Sequence, residues 1–162
     1  MVLSEYRYMD KEDLGVILQI ERSSNPFPWT LKNFTDCIEK EYYCLVQEHE
    51  KKVSGFAILS ITLDETHLLN IGIVESMRRR GFGKEVLNQA IHASKEMGSR
   101  KMLLEVRPSN FAAINLYLNE GFKKLSIRKD YYKTHEGRED ALVMVKTLGR
   151  SWKEIIFGRI GL

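Results

Sequence analysis

The stretch from Leu69 to Met97 constrains the fold more than any other part of this 162-residue chain. Leu69–Val74 is an apolar run of strand character, and Arg78-Arg79-Arg80-Gly81-Phe82-Gly83-Lys84 follows it. The spacing then predicts a helix from Lys84 to Met97, with Val86, Leu87, Ala90, Ile91, Ser94 and Met97 on one buried face and Gly98 as its stop. Lys101–Arg107 closes a strand–helix–strand unit, so its two strands are parallel neighbours unless another strand intervenes. Free amides at a helix N-terminus, beside glycines that admit a ligand to the backbone, make an anion site. Three arginines there oppose the helix macrodipole, at a cost of a few tenths of a kcal/mol each when exposed. They make sense around a polyanion such as a pyrophosphate; a solvated basic turn is the alternative. A nucleotide P-loop is excluded, because no Gly-Lys-Ser/Thr follows at the required spacing, and the dinucleotide fingerprint fails because only one Gly-x-Gly is present.

The flanking sequence supplies the remaining elements. A first strand is read near residues 3–8, then Asp10 as a helix cap with Asp13 three residues on, and Leu14, Ile17, Leu18 and Glu21 along one helical face. Ser23–Trp29 contains Pro26 and Pro28 and is loop; Thr30 caps a second helix expected to bury Leu31, Phe34 and Ile38. Strands at about 42–48, 53–63 and 67–74 form an antiparallel meander. After the fifth strand, Pro108-Ser109 introduces a helix from Asn110 to Glu120, ended by Gly121. Phe122–Arg128 and Asp140–Leu148 read as a last hairpin joined by a long polar loop. The fold class is α+β: a mixed, mostly antiparallel sheet of six or seven strands with helices on both faces. Residues 1–148 form one domain, and 149–162 an amphipathic tail in which Ser151 and Glu154 have capping-box spacing and Trp152, Ile155, Ile156 and Ile160 share a stripe.

With 43% hydrophobic and 29% charged residues, the chain has the balance of an ordinary globular protein. A net charge of +3 suits an acidic ligand, and no basic stripe interleaved with exposed aromatics argues for specific nucleic-acid binding. Cys37 and Cys44 have no ligand companions nearby and read as reduced, buried thiols; no metal site is expected. Glu5, Arg7 and Asp10 are not the residues of a secretory leader, and no apolar run approaches the roughly 20 residues of a membrane span. The expected location is the cytoplasm, without membrane attachment.

Chemistry concentrates in the second half. Alternation puts Leu103, Glu105 and Arg107 on one face of the fifth strand, and Glu105 interrupts an otherwise apolar segment, either at a sheet edge or facing a cleft. Tyr117 shares a helix face with Asn110 and reads either as a core aromatic or as a placed hydroxyl.

Arg78-x-x-Gly81-x-Gly83 between strand and helix resembles the acetyl-CoA pyrophosphate loop of the GNAT acetyltransferases. An ordered set of further motifs is similar to the RimI-type branch of that family, which acetylates the N-terminal alanine of a small-subunit ribosomal protein. The set includes Asn25-Pro26-Phe27-Pro28-Trp29, Asn70-Ile71-Gly72-Ile73, Leu104-Glu105-Val106-Arg107-Pro108-Ser109-Asn110, Ala112-Ala113-Ile114-Asn115-Leu116-Tyr117 and Arg128-Lys129-Asp130-Tyr131-Tyr132. The resemblance implies the GNAT fold, Glu105 as general base and Tyr117 as general acid. It implies acetyl-CoA held by Ile71, Gly72 and Ile73, by Arg78, Arg79, Arg80, Gly81, Phe82, Gly83 and Lys84, and by Asn110. Trp29 and Tyr131 are candidates for the wall of the peptide site, with a plain core cap as the alternative for Trp29. Val74-Glu75 stands where the family commonly has Asp-Pro, and the tail has no counterpart.

The chemistry suits an N-terminal acceptor. An α-amine with pKa near 8 is roughly 10% neutral at pH 7 and a lysine well under 0.1%, so a carboxylate base has less to do for an N-terminus. A backbone amide of the Ile71–Ile73 strand would serve the oxyanion, and a phenol would protonate the leaving thiolate. Acetylation of lysine, a polyamine or a small molecule is the runner-up, and a non-catalytic acyl-CoA-binding module the third reading. Oligomeric state is left open.

Overall fold

The computed structural model of the chain describes residues 3–149. Strand β1 (Glu5–Tyr8) leads into a single 3-10 turn at Lys11–Asp13 and helix α1 (Leu14–Ser24). Helix α2 (Leu31–Glu39) precedes the strands β2 (Tyr43–His49), β3 (Lys52–Thr62) and β4 (Glu65–Ile73). A second 3-10 turn (Glu75–Met77) enters helix α3 (Phe82–Glu96), followed by β5 (Lys101–Val106), α4 (Phe111–Asn119), β6 (Lys123–Thr134) and β7 (Gly137–Thr147). The seven strands lie in the order β1-β2-β3-β4-β5-β7-β6. β4 and β5 run parallel, as the strand–helix–strand pattern requires, while β1–β2, β2–β3, β5–β7 and β7–β6 are antiparallel. The expected tail at 149–162 lies outside the described residues, apart from Gly149 at its start.

The chain groups into two compact units, one running to Ser60 and including Leu69–Leu87, the other comprising Ile61–Leu68 and the chain from Asn88 onward. In the first, Met9, Leu14, Ile17, Ile20, Phe34, Cys37, Cys44, Val46, Phe56 and Ile58 form the core, with Leu18, Trp29 and Ile38 packed against it. Side-chain caps open the 3-10 turn that leads into α1 and open α2 itself. Asp10 accepts from the Glu12 amide while Asp13 accepts from the Asp10 amide. Thr30 and Asn33 exchange side-chain-to-backbone bonds in the same way. Asp13 also takes two bonds from the Arg7 guanidinium, which donates a third to Glu48. Leu31, expected in the core, is 53% exposed. Side chains lean toward the helix N-terminus, so the first residue of α2 overhangs the open end of the helix.

In the second unit Met102, Leu104, Val106, Tyr117, Phe122, Ala141 and Met144 are buried. The Thr66 and Ser99 hydroxyls, both buried, bond each other at 2.7 Å. Gly121 ends α4 with φ +88°, a left-handed turn that glycine enters without steric cost.

Two further expectations need correction. Met97 is 59% exposed, because α3 stops at Glu96 and the chain turns at Gly98 with φ +95°, whereas Val86, Leu87, Ala90, Ile91 and Ser94 are buried as expected. The long polar loop expected between Arg128 and Asp140 is mostly strand: β6 continues to Thr134 and β7 begins at Gly137. β6 is an edge strand exposed along Lys123–Tyr131, so burial imposes no alternation on its sequence and the segment reads as loop.

Candidate active site

In the first unit the arginine-glycine segment forms a tight turn into α3. Arg79 (φ +59°) and Gly81 (φ +90°) adopt left-handed backbone. Alternating hands of this kind turn successive amides toward one side, the geometry of an anion nest. The Glu85 amide donates to the Gly81 carbonyl at 3.1 Å, so the amides of Phe82, Gly83 and Lys84 precede the helical ladder. Gly83, expected in the loop, sits in the first turn of α3.

The three arginines part company. Arg78 donates from Nε to the Ile73 carbonyl at 3.1 Å and from its guanidinium to the Ser23 and Ser24 hydroxyls at 2.7 and 2.9 Å. It braces the turn against the end of α1. Arg80 lies over the Phe82 ring, 5.6 Å from its centroid, and Phe82 in turn meets His49 edge-on at 5.0 Å. Arg79 is exposed, as is Lys84. Of the basic residues expected around a polyanion, Arg78 therefore has the clearest structural duty.

Ile71, Gly72 and Ile73 end β4, beyond the β4–β5 ladder recorded from Glu65↔Lys101 to Leu68↔Leu104. A Cβ on Gly72 would stand 2.6 Å from the Phe56 ring and 2.8 Å from Ile20 Cγ2. Packing beneath the strand is thus sufficient reason for this glycine. Trp29 is half-buried against the core, its ring 5.2 Å from Phe34, which matches the core-cap alternative. The residue that sequence reasoning missed here is Glu21, 2% exposed. Its carboxylate accepts from the Trp29 amide at 2.9 Å, from Asn25 Nδ2 at 3.1 Å and from Asn70 Nδ2 at 3.0 Å. A glutamate at a core position of α1, followed by Asn25 and Asn70, was the only available signal.

In the second unit Glu105 lies on β5, an interior strand paired with β7, so it faces a surface of the sheet and is not at an edge. Its side chain is 28% exposed, and Oε1 accepts from the Arg128 guanidinium at 2.8 Å. The Glu105 bond in turn raises the pKa of Arg128. Tyr131 and Tyr132 meet edge-on at 4.9 Å. Burial, and then a hydrogen bond to Glu105, pushes the Tyr131 phenol upward. Burial, and then the charge on Glu105, does the same for Tyr132. Arg107 lies over the Tyr132 ring at 4.5 Å and donates to Glu139 at 2.9 Å. Tyr117 is buried on α4 with its ring 5.7 Å from Phe122, and burial alone raises its pKa. That phenol stays protonated throughout the neutral range. Asn110 caps α4, its Oδ1 accepting from the Ala113 amide at 3.2 Å. Among the described residues no group of three or more His, Cys, Asp or Glu side chains is arranged to hold a metal, and no helix is long and apolar enough to cross a membrane.

Residues 14–122 match the model of the Acetyltransferase (GNAT) family. The chain is 37% identical over 136 residues to the [ribosomal protein bS18]-alanine N-acetyltransferase of Escherichia coli, covering 84% of this chain and 92% of that one. It is 38% identical over 133 residues to the enzyme of the same name from Haemophilus influenzae, covering 82% and 90%. The crystal structure of the ribosomal-protein-S18-alanine N-acetyltransferase from Escherichia coli superimposes with a TM-score of 0.84 at 34% identity, over 92% of this chain and 96% of that one. The chain therefore belongs to the acetyltransferase (GNAT) family and is an acetyl-CoA-dependent acyltransferase.

Proposed function

We propose that this enzyme acetylates the α-amino group of a protein N-terminus, its acceptor being a small-subunit ribosomal protein that begins with alanine. The observation that carries this reading is the likeness to the bS18-alanine N-acetyltransferases, which spans 84% of this chain and 92% of the Escherichia coli enzyme. The co-substrate supplies an activated thioester. In the first unit, the left-handed turn at Arg79 and Gly81 and the leading amides of α3 have the character needed to receive a pyrophosphate. Arg79, Arg80 and Lys84 would add charge there, with Arg78 holding the turn in shape. The backbone of Ile71, Gly72 and Ile73 would carry the amide donors for the acyl end.

In the second unit, Glu105 would take the proton of the acceptor amine, directly or through a water. It is exposed enough to be reached, and its recorded ion-pair partner is the Arg128 guanidinium at 2.8 Å. Tyr117, held protonated by its burial, would donate toward the departing sulfur. Tyr131 would flank the incoming peptide. Asn110, whose side chain already caps α4, would act on the co-substrate chiefly by fixing the start of that helix.

The test is acetyl transfer to a panel of peptides beginning with alanine, serine or methionine, and to one with a blocked N-terminus and an internal lysine. Mass spectrometry locates the added group. Acetylation of the alanine N-terminus, and none of the blocked peptide, is the expected result. Modification of lysine alone would favour the runner-up acceptor class.

A further inference from the structure

We propose that Arg128 is a placeholder for the acceptor's ammonium group: it holds Glu105 while no acceptor is present, and yields it when the acceptor arrives. The inference rests on the proposed role of Glu105. Glu105 on β5 is opposite Val143 on β7, and Val143 is opposite Ser126 on β6. Residues two apart on a strand share a face, which puts Arg128 beside Ser126 on the face that carries Glu105. The strand β7 lies between the two charges, and adjacent strands are about 4.8 Å apart, so the pair spans about 10 Å of sheet. Only a long side chain closes that distance, and Arg128 does so at 2.8 Å.

The backbone of β6 is shaped to aim it. The register jumps from Arg128↔Ala141 to Tyr132↔Glu139, so Lys129, Asp130 and Tyr131 bulge opposite the single residue Asp140. Asp130 adopts φ +50°, its amide donates to Asp140 at 3.0 Å, and Arg138 donates to the carbonyls of Asp130 and Tyr131 at 3.3 and 3.4 Å. The bulge brings the Tyr131 ring to 4.3 Å from the Arg128 guanidinium carbon. The guanidinium is thus stacked on one side and bonded to the carboxylate at its end.

Its chemistry suits a placeholder and not a catalyst. A guanidinium does not release its proton at any working pH, so it takes no part in proton transfer. An α-amine reaches the protein mostly as ammonium at pH 7, and therefore seeks the same carboxylate. The Arg128 side chain is 58% exposed against 28% for Glu105, so the arm moves into water more readily than the carboxylate does. Acceptor binding becomes an exchange of one cation for another.

The experiment is a double-mutant cycle read by calorimetry, titrating a hexapeptide with an N-terminal alanine into the full-length protein saturated with coenzyme A. Arg128→Gln is expected to tighten peptide binding by about two- to fivefold, the size of an exposed ion pair. Arg128→Lys, which keeps the charge, is expected to stay within about twofold of the parent by the same measure. In the Glu105→Gln background, Arg128→Gln is expected to change nothing. Weaker binding in Arg128→Gln would make Arg128 a contact of the acceptor, and equal tightening in the Glu105→Gln background would make the effect general charge repulsion; either overturns the proposal. Were the parent enzyme to acetylate only lysine side chains, the N-terminal reading would fail, yet the same cycle run with the lysine peptide would still judge Arg128.

Discussion

The turn at the start of α3 and the bulge of β6 both display cations, yet they are built in opposite ways. The turn is held from within its own stretch of chain, by a glycine at φ +90° and the onset of helical hydrogen bonding, with one arginine bracing it to α1. The bulge is held by the neighbouring strand, through Asp140 and Arg138. In the turn the cations adjoin, in sequence, amides that precede the helical ladder; in the bulge the key cation bonds an acidic side chain. On the reading proposed above, the first arrangement prepares a surface for a polyanion. The second, on the same proposed reading, covers the base until the acceptor's cation displaces it. On that reading, the same residue type attracts one substrate and reserves a place for the other.

The largest expected effect separates the two regions by function. Glu105→Gln should lower kcat by about 10²–10⁴, the usual cost of losing a general base, while the KM for acetyl-CoA holds. An equal rise in that KM would mean that the two regions do not act independently. Next in size is Gly72→Ala. With Phe56 and Ile20 under 3 Å from the added carbon, overpacking should cost about 1–3 kcal/mol. The melting temperature should fall by about 2–4 °C for each kcal/mol. No fall in a calorimetric scan would return Gly72 to the list of residues spared a side chain for a ligand's sake.

Arg78→Ala sharpens the comparison on the other side. It removes the three bonds that brace the turn, and a cost of about 1 kcal/mol is expected in stability. Steady-state kinetics should find acetyl-CoA KM raised several-fold with the acceptor KM unmoved. The smallest effect lies outside both regions and serves as their control. Arg7 holds the Asp13 carboxyl below its ordinary value of 3.8, outweighing the opposite push of burial. A lowered folded-state pKa adds stability that is present above the ordinary value and lost as pH falls through the folded one. Asp13→Asn should therefore flatten the decline of chemical stability below about pH 4, and leave both kinetic constants intact at neutral pH. A decline just as steep in the variant would place the acid sensitivity elsewhere.

How much of this could be read beforehand depended on whether a residue's duty was local. Asp10, Thr30 and Gly121 announce their caps within three or four residues; Thr30 and Gly121 bound α2 and α4 as read, and Asp10 caps the 3-10 turn that leads into α1. The parallel β4–β5 pair followed from the helix between them. The bracing by Arg78 could not be read beforehand, because its sequence neighbours are two further arginines and its partners, Ser23 and Ser24, lie more than fifty residues earlier. Glu21 looked like one polar residue on a helical face, and only the folded chain brings Asn70 to it. In the second half, Glu105 and Tyr117 stood out as polar groups in apolar elements. The Arg128 contact did not, because a bulge has no period of its own and β6 has no buried face to announce its register.

The composition of that edge strand also bears on how the protein behaves in a crowded solution. An outermost strand offers a row of backbone donors and acceptors on which another chain can assemble, and exposed Leu125 and Ile127 would add adhesion. Lys123, Lys124, Lys129 and Lys133 punctuate β6, and two copies laid edge to edge would bring these charges together. The swelling at Asp130 breaks the straight run of backbone that a fibril needs. The lysines of β6, Lys129 and Lys133 in the stretch read as loop among them, are thus also a safeguard against self-assembly.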